Sequence, residues 1–180
     1  VWRVANPLQL VHDGGSAGLS SGGRMQLGRG RGAPEQVIDG WRHFGYQPAE
    51  GESDADMGRR NAMIFLDLLG GKGLAQPSPR PMFPNPPGLL RVEPYSAGLR
   101  DRIWWGAGFN APAVWGAKLG MTLHSSPLKQ DDSAQPFHVA HAEQLRSFRS
   151  AWHEPARTRE PPPPAPRHAR QLYRAPPGAH

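Results

Sequence analysis

The stretch Arg102–Ser126, RIWWGAGFNAPAVWGAKLGMTLHSS, restricts the fold more than any other part of the chain. Arg102–Gly108 reads as a buried strand that runs out into small residues. Asn110 is placed to cap a helix over Ala111–Leu119, and Gly120 stands where that helix would stop. Met121–His124 predicts a second short strand. Strand, helix, strand is the alternation of a parallel sheet with helices packed outside it. The turn between the first strand and the helix has its own chemistry. Unpaired N–H groups and the helix dipole both favour an anion such as phosphate there. Any strand-to-helix turn also wants small residues and a cap, so the turn alone does not establish an anion site.

The alternation extends to both sides. Arg24–Gly28 predicts a short strand entering the glycine-rich GRGRG of Gly28–Gly32, and Pro34 with Glu35–Ile38 suggests a short helix after it. Ser53-Asp54-Ala55-Asp56 is a capping pattern. Met57, Ile64, Phe65, Leu68 and Leu69 mark one face of the helix that follows, and Gly70-Gly71 ends it. Pro77–Pro87 carries six prolines and predicts an irregular, extended loop. Val139, Ala142, Leu145, Phe148 and Trp152 recur at helical spacing. Upstream, residues 1–18 read as an irregular segment, with His12–Ser16 as a turn because of Gly14-Gly15.

Composition sets the outer limits. The chain has 180 residues, enough for one core, whereas a complete eight-fold β/α barrel typically takes about 250. Cysteine is absent, which excludes disulfides, thiol catalysis and Cys-ligated metals. No apolar run has the length of a membrane span, and the expectation is a soluble, cytoplasmic protein. Net charge is +6, concentrated in residues 155–180, where Arg157, Arg159, Arg167, Arg170 and Arg174 stand against one acid, Glu160. That stretch is rich in Pro, Ala, Arg and His, has no Ile, Val, Phe, Met or Trp, and is expected to be disordered.

Three segments occur in the same order in luciferase-like flavin-dependent monooxygenases. They are SGGRMQLGRGRGAPEQVIDGW (Ser21–Trp41), ESDADMGRR (Glu52–Arg60) and RIWWGAGFNAPAVWGAKLGM (Arg102–Met121), and the likeness continues through PFHVAHAEQLRSFRSAWHE (Pro136–Glu154). The chain resembles the middle of that family's TIM barrel, around its fourth to sixth strands. The fold class this implies is α/β, an incomplete TIM (β/α)8 barrel over residues 19–154 with a disordered tail over 155–180. The resemblance implies reduced FMN as cofactor, with a deazaflavin as the alternative. It also implies a small organic substrate, molecular oxygen, and a flavin reductase as candidate partner.

Carried over position by position, Arg31 matches the family's arginine beside the flavin and its phosphate, the candidate catalytic and binding cation. A guanidinium suits that role because it meets phosphate as a fork and keeps its charge. Gly108, Phe109, Asn110 and Ala111 match the phosphate turn, together with Pro112. Phe109 stands where the family usually has Ser or another small polar residue, and Pro112 where Thr is frequent. Both departures weaken an anion site, one by removing a hydroxyl and the other a backbone donor. Arg29 occupies a strand position usually apolar in the family. After Glu160 the composition resembles a GC-rich frame read out of phase, so the expectation is a gene fragment with a frameshifted end. A nucleotide sequence with no apolar strand encoded in either alternative frame past Glu160 would exclude this.

Rival readings attach to other features. Gly28–Ala33 fits the GxGxxA dinucleotide fingerprint, but Pro34 and the poorly defined strand before it argue against a Rossmann site. His138 and His141 share a helix face, yet no third metal ligand is fixed by spacing. GRGRG and the arginines of the tail supply non-specific phosphate attraction, the basis of a nucleic-acid reading. Only Tyr173 offers a stacking surface in that tail. A product without activity is the third possibility. Trp104, Trp105 and Trp115 read as core and wall residues.

Overall fold

The computed structural model describes residues 6–30, 48–125 and 136–152. Its described α-helices and β-strands, in chain order, are α1 (Pro7–Ser20), β1 (Leu27–Gly30), α2 (Asp54–Leu69), β2 (Ile103–Ala107), α3 (Asn110–Lys118), β3 (Thr122–Ser125) and α4 (Phe137–Trp152). The three strands form one small parallel sheet in the order β1-β2-β3. The sheet is not closed into a barrel. No helix among the described residues is long and apolar enough to cross a membrane. The helix suggested after Pro34, Arg31 itself and the tail after Trp152 lie outside the described residues. The chain divides into two compact units, Val1–Trp104 and Trp105–His180.

In the first unit the segment expected to be irregular is a helix. Asn6 caps α1 through its side chain, which accepts from the Leu8 N–H at 2.9 Å, and Pro7 fills the first turn, where it needs no donor. His12–Ser16, read as a turn, lies inside that helix. Pro7, Val11, Gly14, Gly15 and Gly18 form its buried stripe. A Cβ on Gly15 would collide with the Pro94 carbonyl, and one on Gly18 with the Ser96 side chain. The glycines that lower intrinsic helix propensity therefore let α1 lie against the Pro94–Ser96 backbone. His12 Nδ1 donates to the Glu93 carbonyl on the same side, at 2.8 Å.

α2 begins as the sequence predicts. Ser53 Oγ accepts from the Asp56 N–H at 3.2 Å and donates to the Asp56 carboxylate at 2.6 Å. Met57, Phe65, Leu68 and Leu69 are buried, but Ile64 is exposed, and Gly58, Asn61, Ala62 and Leu66 are buried beside them. Gly71, at φ 85°, donates to the Leu68 carbonyl, and Lys72 donates back to Asp67. The same paired closure ends α1 at Gly22 and α3 at Gly120, with φ 60° and 75°. The proline-rich stretch is an exposed excursion between Ala75 and Leu90, which pair as an isolated antiparallel bridge.

β1 starts three residues later than the expected Arg24. Residues 25 and 26 are fastened by side chains instead. Arg102 Nε donates to the Met25 carbonyl at 3.0 Å, and Trp104 Nε1 donates to Gln26 Oε1 at 2.6 Å. Arg29 lies half-buried with its guanidinium 4.9 Å from the Phe65 ring centroid. A long side chain with an apolar stem and a cation over a ring can thus fill a position that suits a hydrophobe. Burial holds its guanidinium below the ordinary value.

In the second unit Trp105 and Ala107 of β2 are buried, and the strand as a whole alternates between buried and half-buried residues. Trp105 packs on Trp115 of α3, ring centroids 4.8 Å apart, and lies over Gly116, where a Cβ would come 2.9 Å from the indole. The buried stripe of α4 is Gln144, Phe148, Ala151 and Trp152. The expected stripe is displaced, since Val139 and Leu145 are only half-buried and Ala142 is exposed.

Candidate functional site

The turn that the sequence marks for an anion joins β2 to α3. The strand ends at Ala107, Gly108 is half-buried, and Phe109 adopts an extended backbone with φ −155° and ψ 178°. Phe109, and not Asn110, is therefore the cap position, and Asn110 is the first residue of the helix. The Phe109 side chain makes no capping hydrogen bond. Helical geometry leaves the N–H groups of Asn110 and Ala111 without intrahelical acceptors, while Pro112 contributes none. The Phe109 ring is 40% exposed, so its bulk stands at the mouth of the turn.

This donor set fits one phosphate oxygen edge. Two backbone donors point out of a nine-residue helix whose dipole adds partial positive charge. It offers no hydroxyl and no cation from the turn itself. Gly108, Phe109, Asn110 and Ala111 are thus consecutive members of one formed turn, whereas Arg31 lies outside the described residues. Among the described residues no group of three or more His, Asp or Glu is placed to hold a metal ion.

Two features of this unit were not singled out by sequence. An open groove of about 540 Å³ runs along Val114, Lys118, Glu143, Arg146, Ser147 and Ala151, towards the carboxyl end of α3 and away from the turn. The other is a buried polar chain. Gln144 is 2% exposed, donates through Nε2 to the Ala107 carbonyl at 3.1 Å, and accepts from Ser125 Oγ at 2.6 Å. Ser125 Oγ also lies 3.3 Å from His141 Nδ1. A polar residue in register with Phe148 and Trp152 is the signal that could have found it. Comparison with known proteins returned no match, either to a family model or to a curated protein.

Proposed function

We propose that this chain carries middle strands and helices of an incomplete TIM barrel of the luciferase-like type, and that its β2–α3 turn is a flavin phosphate site. The observation that carries the reading is the N-terminus of α3, with no side-chain cap from Phe109, directly after a parallel strand. Ligands of β/α folds collect at the carboxyl ends of such strands. Asn110 and Ala111 would hold the FMN phosphate through their backbone N–H groups, and Arg31 would neutralise it. A reduced flavin, when bound, supplies hydride transfer or oxygen activation towards a small organic substrate, and the protein's part is to orient and shield it. A deazaflavin with its own phosphate would use the same donors.

Phe109 and Pro112 make this a weak site. The double variant Phe109→Ser, Pro112→Thr returns two hydroxyls and one backbone donor. Each hydrogen bond to a charged phosphate contributes roughly 1.5–3 kcal/mol, so FMN affinity rises by at least about tenfold. Arg31→Ala in that background removes most of the gain. Fluorescence titration with FMN reads both steps. Unchanged affinity in the double variant, or no loss on removing Arg31, excludes this turn as a flavin site.

A further inference from the structure

The buried chain on α4 has a direction, because each of its links has only one possible donor. The Ala107 carbonyl can only accept, so the Gln144 atom facing it is the amide nitrogen and the oxygen faces Ser125. Turning the amide over would set oxygen against oxygen at Ala107 and leave a buried NH2 on Ser125 Oγ. Ser125 has one hydroxyl hydrogen, and it is committed to Gln144 Oε1 at 2.6 Å. The remaining contact, His141 Nδ1 to Ser125 Oγ at 3.3 Å, must then be supplied with a hydrogen from the imidazole.

We propose that Ala107, Gln144 and Ser125 hold the His141 imidazole as its Nδ1–H tautomer, which makes Nε2 a hydrogen-bond acceptor for a hydroxyl-bearing aromatic ligand. Nε2 makes no hydrogen bond among the described residues, and His141 is half-buried. The Phe137 ring, 41% exposed, lies 4.0 Å from the imidazole centroid and tilted by 38°, and gives the acceptor an apolar wall on one side. An acceptor beside an aromatic face matches a phenolic or similar O–H carried on a flat apolar body. Gln144 and Ser125 act through His141 and are positioning residues. The assignment is independent of the flavin reading, since neither Arg31 nor the Phe109 turn enters it.

Nitrogen NMR on the whole chain labelled at histidine tests it, with His141→Gln identifying the resonance and spectra taken at pH 9. The expected spectrum has a pyrrole-like Nδ1 and a pyridine-like Nε2 for His141. Free histidine favours the opposite tautomer, and finding that one in the wild-type chain overturns the proposal without any variant. Ser125→Ala is expected to move His141 towards the Nε2–H form, and an unmoved equilibrium overturns the role of the serine. Added phenol is expected to shift the Nε2 resonance to lower frequency in the wild-type chain and to do so less in Ser125→Ala. A wild-type Nε2 that does not respond to phenol overturns the ligand assignment. If Ser125→Ala does not fold, the wild-type tautomer and its phenol response still decide.

Discussion

Phe109 and Glu52 show how single residues set local stability in opposite senses. At the cap of α3, Phe109 supplies no side-chain acceptor, and its ring is 40% exposed. Phe109→Ser should therefore raise stability by about 0.5–2 kcal/mol, the usual worth of a good cap, read as a higher urea midpoint without ligand. A lowered midpoint would mean that the ring carries more packing than its exposure indicates. Glu52 lies just ahead of α2. Its carboxylate takes two hydrogen bonds from Arg60, at 3.0 and 2.9 Å, and one from the Ala49 N–H at 2.8 Å. The Arg60 hydrogen bond, then the Ala49 N–H, hold its pKa near about 2 against an ordinary 4.5. The folded state thus favours the ionised form. The stability this contributes is complete above 4.5 and is lost as pH falls towards about 2. Glu52→Gln should flatten the acid limb of the stability profile in that window and leave the limb above it unchanged in slope. An unaltered acid limb contradicts the assignment.

At the scale of elements, glycines divide by what surrounds them. Gly58 lies buried within α2, and among the described residues a Cβ there meets nothing within 4 Å. Gly58→Ala should stabilise the chain by roughly 0.8–1 kcal/mol, the intrinsic helix preference. Gly15→Ala in α1 should be strongly destabilising, because the new methyl enters the Pro94 carbonyl. Thermal melts of the two variants should move in opposite directions, and a tolerated Gly15→Ala would refute the close packing of α1. The same contrast explains what could be read in advance. α2 was legible because cap, stop and most of its apolar periodicity agreed, α3 from the Gly120 stop and α4 from helical spacing, although the α3 cap fell on Phe109 and the α4 stripe kept only Phe148 and Trp152 of the expected residues. α1 was hidden, since Gly14-Gly15 reads locally as a turn and its need for glycine arises only from the Pro94–Ser96 backbone. Its Asn6-Pro7 start and the spacing of Pro7, Val11, Gly14 and Gly18 were the available signals. The Ser125–Gln144 pair was hidden for a related reason. The register of Gln144 with Phe148 and Trp152 marks the position, but its partners appear once the Ala107 carbonyl and Ser125 hydroxyl are placed around it.

For the whole molecule, the described residues form a mixed α/β fold whose three parallel strands, in the order β1-β2-β3, are not closed into a barrel. Fold alone does not assign chemistry, because barrels and open sheets of this kind serve many reactions. The flavin reading therefore rests on whether the β2–α3 turn recognises a phosphate, which is separable from general affinity for an aromatic ring system. FMN and riboflavin share the ring system and differ by that phosphate. The most direct measurement is calorimetric titration of both into the Phe109→Ser, Pro112→Thr chain at one ionic strength. The account predicts FMN binding tighter than riboflavin by at least about tenfold, equivalent to one charge-assisted hydrogen bond. Equal affinity for the two would contradict it.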